Sequence, residues 1–174
     1  MARNALALHG AYKRGDLAAV RRLLGNPPDF PNCRGPAGMG EIVLEYAIYH
    51  SPLAFIRALL DLGADPNYED HAGFPALTAT LTCGDRPDMH DILALLLAHG
   101  ADPNVHGFND YTPLHDAVRM GDRRAVELLL AHGANPTVKT RIDDYETPLD
   151  IARALQVRRE MRDILALLEA AIQV

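Results

Sequence analysis

One six-residue string occurs three times in this chain, and its recurrence constrains the fold more than any other feature. The copies are Leu62-Gly63-Ala64-Asp65-Pro66-Asn67, His99-Gly100-Ala101-Asp102-Pro103-Asn104 and His132-Gly133-Ala134-Asn135-Pro136-Thr137. Each copy follows a leucine-rich segment, and successive copies are 37 and 33 residues apart. A period of about 20 to 50 residues indicates a repeat architecture, in which every unit buries its apolar face against its neighbours.

A second recurring string marks where helices begin. Thr112-Pro113-Leu114-His115-Asp116-Ala117 returns as Thr147-Pro148-Leu149-Asp150-Ile151-Ala152, and more loosely as Leu8-His9-Gly10-Ala11. Thr is a good N-cap, and Pro at the first helical position lacks only an N–H that would have no partner there. Gly15, Gly84 and Gly121 fall where such a helix would end in a left-handed residue. The predicted unit is a helix, a tight turn and a second helix that ends at the Gly of the first string.

These two strings, in this order and phase, resemble the ankyrin repeat, whose period is about 33 residues and whose first helix opens with Thr-Pro-Leu-His-x-Ala. The resemblance covers nearly the whole chain and implies an all-α solenoid of stacked helix-turn-helix units with hairpin-like fingers between them. We expect a single domain, residues 1–174, with repeats at about 4–36, 37–69, 70–106, 107–141 and 142–174. Extra residues near 85–88, 138–146 and 157–160 depart from the family pattern and are candidate specific features.

Composition and charge restrict the class of protein. No apolar run reaches the length that crosses a bilayer, and the N-terminus lacks a signal-peptide pattern, so we expect a cytoplasmic, stand-alone monomer with free thiols at Cys33 and Cys83. The formal net charge is -6, but residues 1–40 carry six Lys and Arg against two Asp and Glu, whereas residues 41–118 carry two against twelve. This acidic middle disfavours nucleic acid as a partner and would suit a basic protein.

The histidines and cysteines do not form a recognisable metal or catalytic motif. Zinc ligands usually come in close Cys or His pairs, and no such pair is present, so we expect no metal and no cofactor. The resemblance implies structural roles, in bonds to finger backbone or near helix C-termini, for His9, His115, His99 and His132. A nucleophilic Cys needs a neighbouring base, and Cys83 with His50 is the one enzymatic alternative that we retain. A measurable effect of thiol modification would favour it.

The resemblance also indicates a partner site. In ankyrin arrays the partner usually contacts the finger tips and the last exposed positions of each first helix, a surface that we call the concave face. The first helices contribute Lys13, Arg14, Tyr49, His50, Thr82, Arg119 and Met120. The fingers contribute Glu69, His71, Phe74, His106, Phe108, Asn109, Tyr111, Asp143, Asp144, Tyr145 and Glu146. Five of the ten aromatic residues fall in this set, and exposed Tyr and Phe are typical interface anchors. The alternative is that Phe74 and Tyr111 pack only against the neighbouring finger.

The leading functional hypothesis is a non-catalytic protein–protein interaction module that binds a partner of unknown identity through the concave face. A narrower version is an inhibitor or immunity-type protein that neutralises a basic partner through the acidic middle of the chain. An enzyme that uses Cys83 and His50 is a distant alternative. A purely structural spacer is a further one, and it would show no clustering of aromatic residues on the concave face.

Overall fold

The computed structural model describes residues 2–35, 42–68, 74–84, 86–141, 145–156 and 159–173. Within these ranges the chain forms ten α-helices and a short 3-10 helix at Phe108–Asp110, and an isolated antiparallel β-bridge joins Arg34 to Ile42. The α-helices are α1 (Ala2–Arg14), α2 (Leu17–Leu23), α3 (Val43–His50), α4 (Leu53–Asp61), α5 (Ala76–Thr82), α6 (Met89–Ala98), α7 (Pro113–Met120), α8 (Arg123–Ala131), α9 (Pro148–Ala154) and α10 (Arg159–Ile172). None of the described helices is both long and apolar enough to cross a membrane.

The helices stack in two layers. Helices α1, α3, α5, α7 and α9 contact one another in that order and form the first layer, while α4, α6, α8 and α10 contact one another in the second. Each first-layer helix also packs against the second helix of its own pair. The all-α solenoid predicted from the repeats is therefore confirmed.

The predicted helix boundaries follow from local chemistry. Thr112 precedes α7, its side chain accepts from the third helical N–H, and its own N–H donates to His115 Nδ1 at 3.1 Å. Thr147 and Asp150 make the same reciprocal pair at the start of α9. At the other end of α7, Gly121 has φ of 72° and its N–H donates to the Val118 carbonyl. A side chain at such a left-handed position would be strained, which is why the turn between the two helices uses glycine.

A ladder of asparagine side chains joins successive units. The Asn67 side-chain N–H donates to the Gly100 carbonyl at 2.8 Å, and its oxygen accepts from the Asp102 N–H at 2.7 Å. The same pair of bonds joins Asn32 to Gly63 and Asp65, and Asn104 to Gly133 and Asn135. Thr137 replaces Asn at the next position, and its hydroxyl donates back to Asn135 at 2.8 Å. These bonds satisfy backbone groups that the helix ends leave without partners, so the recurring string does more than terminate helices.

Leucine side chains form the core that runs along the stack. Leu59, Leu96, Leu129 and Leu168 are fully buried, and Leu23 in the first unit is only partly buried against them. Leu168 lies in the terminal unit, yet α10 buries it as completely as α8 buries Leu129. Among these leucines, the one in the N-terminal unit is therefore the least buried.

The extra residues after α5 have a structural role. Arg86 is held by Asp88, with 2.9 and 2.8 Å between guanidinium nitrogens and the two carboxylate oxygens. The same guanidinium donates to the Ile48 carbonyl and, at 2.9 Å, to the Ser51 carbonyl at the end of α3. Arg86 thus satisfies carbonyl groups that the end of α3 leaves free.

Candidate functional site

The structure places most of the predicted concave-face residues at the ends of first-layer helices or in the loops that follow the second-layer helices. Four of them, Glu69, His71, Asp143 and Asp144, lie outside the described residues, and so does the side chain of Phe108. The described ones with exposed side chains are Lys13, Arg14, His50, Thr82, His106, Asn109, Arg119, Met120 and Tyr145. The partly buried ones are Tyr49, Phe74, Tyr111 and Glu146.

Large apolar side chains are exposed at two of these positions. Met120 is 51% exposed at the end of α7, and Tyr145 is 63% exposed just before α9. Tyr145 has φ of 55°, a left-handed conformation that few side chains adopt. An exposed large apolar side chain held in an unfavourable backbone conformation is a candidate contact residue.

Tyr111 and Arg119 form a stack beside a small cavity. The Arg119 guanidinium lies 4.9 Å from the centre of the Tyr111 ring, which meets the His115 ring edge-on at 5.6 Å. The cavity has a volume of about 230 Å³ and is lined by Tyr111, Arg119, Glu146, Ile151, Ala154 and Leu155. Tyr111 therefore packs within the protein and also forms one wall of an open cavity. A cation above an aromatic wall, with apolar side chains nearby, can hold a partner group that is both charged and apolar.

An ion pair that the sequence did not indicate holds the loop before α7. Asp110 is buried, and Arg141 approaches its carboxylate with Nη2 at 2.6 Å and with Nε at 3.0 Å from both oxygens. His106 adds a contact at 3.0 Å from its Nδ1 to Asp110 Oδ1. Hydrogen bonds from Arg141 lower the pKa of Asp110 to about 2. Asn109 and Asp110 have φ of 55° and 66°, so the ion pair between Asp110 and Arg141 stabilises a strained turn. The His106 ring also contacts Asp110 in this turn.

Phe74 is less available than the sequence suggested. Its side chain is partly buried, and its carbonyl accepts from the Tyr68 hydroxyl at 3.2 Å. The expectation that Phe74 packs against neighbouring residues fits this position better than a role as an exposed anchor.

Aromatic rings fill the space between the ends of α1 and α3. The His50 ring lies 4.4 Å from the Tyr46 ring and 5.1 Å from the His9 ring, measured between centres. Burial lowers the pKa of His50, and so do the nearby charges of His9, Lys13 and Arg86. His50 therefore stays uncharged to lower pH than an isolated histidine.

Our expectation for His9 was wrong. We expected it to bond backbone between fingers, as His115 does with the Glu146 carbonyl at 3.2 Å. Helix α1 already begins at Ala2, so His9 lies in mid-helix, and its Nδ1 lies 2.7 Å from the Tyr46 hydroxyl. The sequence string recurs here without its role as a helix start.

The remaining described histidines outside this face have structural contacts. His99 and His132 follow α6 and α8, and their Nδ1 atoms lie 2.9 and 2.8 Å from the Leu95 and Leu128 carbonyls, as expected from their place near helix ends. His90 on α6 lies 2.8 Å from a carboxylate oxygen of Asp122, the N-cap of α8.

Cys83 and His50 lack the features of a catalytic pair. The Cys83 thiol donates to the Thr80 carbonyl at 2.9 Å, and burial raises its pKa. Both effects oppose formation of the thiolate that a nucleophilic Cys needs. Within the described ranges no group of three metal-ligating side chains is present. The geometry therefore gives no support to nucleophilic chemistry at this pair.

The described acidic residues of segment 41–118 mostly lie on second-layer helices, in the turns after those helices, or in ion pairs. Asp61 and Asp91 belong to the second-layer helices α4 and α6, while Asp65 and Asp102 accept hydrogen bonds in the turns that follow these helices. Asp88 and Asp110 form the ion pairs with Arg86 and Arg141.

Asp116 is the acidic residue of segment 41–118 that lies on helix α7. Its carboxylate is half-buried one turn before Arg119. Burial raises its pKa to about 6, against a smaller opposing effect of the Arg119 charge. The corresponding positions of the other first helices, found by aligning the two strings, are Gly10, Tyr46, Ala79 and Ile151. Asp116 is therefore an ionisable group in a slot that the other units fill with uncharged residues.

Comparison with known proteins gives matches over most of the chain. A family model described as "Ankyrin repeats (many copies)" matches residues 96–152. Protein PhlB of Serratia liquefaciens is 38% identical over 154 residues, which are 88% of this chain and 63% of that protein. An intracellular phospholipase A2 of Caenorhabditis elegans is 29% identical over 112 residues, 64% of this chain and 10% of that protein.

A third relative carries the repeat in its name. Ankyrin repeat, SAM and basic leucine zipper domain-containing protein 1 of Carollia perspicillata is 32% identical over 116 residues, which are 67% of this chain and 24% of that protein. The chain thus spans less than two thirds of the length of each of these three relatives.

Proposed function

Because the chain is an ankyrin-repeat protein, we propose that it is a non-catalytic module that binds a partner protein through its concave face. The observation that carries this proposal is the exposure of Met120 and Tyr145, which are the sequence neighbours of Arg119 and Glu146, two residues that line the 230 Å³ cavity. Exposed aromatic and Met side chains beside an arginine are the residue types that most often contribute binding energy.

The non-catalytic part of the proposal has two supports. Ankyrin repeats typically mediate protein–protein interaction, and the Cys83 thiol is held protonated by burial. One relative is named a phospholipase, but this chain matches only 10% of that protein. A lipase activity is therefore not carried over to this chain.

The narrower version, an inhibitor or immunity-type protein for a basic partner, depends on a few residues. The described carboxylates of residues 41–118 lie mainly in the second layer and its turns or in ion pairs. Attraction of a basic partner to the concave face would therefore rest on the finger residues Glu69, Asp143, Asp144 and Glu146 and on Asp116. We therefore keep the broader proposal.

The test is capture of partners from a lysate of the source organism on immobilised protein. The double variant Met120→Ala, Tyr145→Asn removes the two exposed side chains, and Asn is chosen because it tolerates the left-handed backbone at position 145. The control is Leu62→Ala, which removes a side chain of similar exposure after the second-layer helix α4. A partner that binds the control and is lost from the double variant supports the proposal. A partner retained equally by both variants contradicts it.

A further inference from the structure

Basic side chains outnumber acidic ones at the C-terminal ends of the first-layer helices. The floor of the concave face, which we define as residues 13–14, 49–50, 82–83, 119–120 and 154–155, contains Lys13, Arg14 and Arg119 and has no Asp or Glu. Its formal charge is +3 in a chain of net charge -6. Exposed carboxylates are present on second-layer helices, among them Asp61, Asp91, Glu127, Asp163 and Glu169, but arginines such as Arg123 and Arg124 accompany them there. The floor is therefore more positive than the chain as a whole.

The electrostatic potential is also positive around His50, in the N-terminal half of the floor. The charged groups that act on this imidazole are His9, Lys13 and Arg86, and all three disfavour its protonation. Asp88, which binds Arg86, offsets part of that guanidinium's charge. A carboxylate brought to this place would meet the Lys13 side chain and the His50 ring, beside the Tyr46 and Tyr49 rings.

Arg119 gives the C-terminal half of the floor a second anchor. Several other arginines are paired with carboxylates: Arg86, Arg123, Arg124, Arg141 and Arg153. Arg119 forms no ion pair with any residue in the described part of the chain, and it is held over the Tyr111 ring at the cavity. A planar guanidinium that is oriented by an aromatic ring is well suited to bind a carboxylate with two hydrogen bonds. Ile151 and Leu155 in the same cavity would contact apolar atoms next to that carboxylate.

We propose that the floor of the concave face binds an acidic, partly apolar segment of the partner protein, with one carboxylate on Arg119 and another near Lys13 and His50. This inference rests on the proposed function and specifies the chemistry of its partner. Glu146 and Asp116 lie close to Arg119, so they restrict where a carboxylate fits. The carboxylate must meet an edge of the guanidinium, because its N–H groups lie in the plane of the group. The opposite outcome of the test would be a basic segment that binds the finger residues Glu69, Asp143 and Asp144.

The floor cations also lie at helix C-termini, where positive charge offsets the helix dipole. If that were their whole role, replacing them would lower the stability of the protein and leave ligand selection unchanged. The experiment must therefore measure binding and stability on the same variants.

A phage-displayed library of random peptides of about 12 residues provides a defined probe. It is selected against the full chain, against the floor variant Lys13→Gln, Arg119→Gln, and against the control variant Arg57→Gln, Arg124→Gln. The control makes the same change of charge on the second-layer helices α4 and α8. We expect the wild-type protein and the control to select peptides enriched in Asp and Glu together with apolar residues. One such peptide, synthesised with a fluorophore, should bind the floor variant about tenfold more weakly than the control, because charged hydrogen bonds are lost.

Each other result overturns the inference. Selection of neutral or basic peptides, or no enrichment above the starting library, would show that the floor does not recognise acidic segments. Equal affinity of the floor and control variants would place the acidic peptide elsewhere, and a lower melting temperature with that equal affinity would assign the cations to helix stability. The single variant Lys13→Gln, at an exposed site, is a second test should the double variant fold poorly. These failures leave the proposed function intact, since that is decided by partner loss on the Met120 and Tyr145 variant.

Discussion

Replacing Asp116 with Asn should stabilise the protein at neutral pH. The carboxyl is half-buried on α7, and its pKa is raised from 3.8 to about 6, chiefly by burial. In the unfolded chain it ionises near its ordinary pKa, so above pH 6 the folded state carries the cost of a poorly solvated charge. Two pKa units correspond to about 3 kcal/mol, and residual contact with solvent reduces the expected gain for Asp116→Asn to about 1 to 2 kcal/mol at pH 7.5.

The pH dependence has a definite sign. For a raised pKa, the folded state binds more protons than the unfolded state between the two pKa values, so the stability contributed by Asp116 is complete below about pH 4 and is lost as the pH rises to 6. The advantage of Asp116→Asn should therefore shrink to a few tenths of a kcal/mol at about pH 4.

Urea unfolding at several pH values, followed by helical circular dichroism, measures this difference. Asp91→Asn is the control, because Asp91 is 61% exposed on α6 and the change should stay within about 0.5 kcal/mol at every pH. If Asp116→Asn destabilises the protein at pH 7.5, or if its effect is the same at pH 4 and pH 7.5, the carboxylate is well solvated and the argument from burial is wrong.

Three further predictions concern stability, each measured by urea unfolding. Asp110→Asn should cost about 1 to 2 kcal/mol at pH 7, discounted because Arg141 is 75% exposed, and the loss should vanish as the pH falls from about 4 towards 2; a pH-independent loss would contradict the ion pair. Leu129→Ala should lower the free energy of unfolding by about 2 to 5 kcal/mol, and Leu23→Ala by clearly less, because of these two leucines only Leu129 is fully buried. Equal losses would contradict a core that is less buried in the N-terminal unit. Asn104→Ala should cost about 1 to 3 kcal/mol, because it removes both bonds to the next unit; no change would mean that water replaces them.

The sequence predicted features that depend on neighbours within one unit. Thr112 with Pro113 predicted the start of α7, and Gly121 predicted its end, because capping and a left-handed turn depend on residues a few positions apart. The stacking of the units followed from their repetition alone.

The contacts that cross between loops could not be predicted in the same way. Asp110 meets Arg141 only because the left-handed backbone at Asn109 and Asp110 places the carboxylate beside the next finger, 31 residues further on. The Asn-Asp pair was a weak signal, since these residue types tolerate φ above zero, but nothing local indicates the partner. The position of charges in the fold could not be predicted for a related reason. A count along residues 41–118 gives a strongly acidic span, but it does not tell that Asp61 and Asp91 lie on second-layer helices.

The central claim is that a partner protein binds the concave face, and a hydrogen-exchange footprint on the complex tests it most directly. With a partner recovered by capture, the account predicts slower exchange in the finger and first-helix segments 105–121 and 145–156, and little change in the second-layer helices α6 and α8. Protection of α6 and α8, with the exchange of 105–121 and 145–156 unchanged, would place the partner on the opposite side of the solenoid and contradict the account.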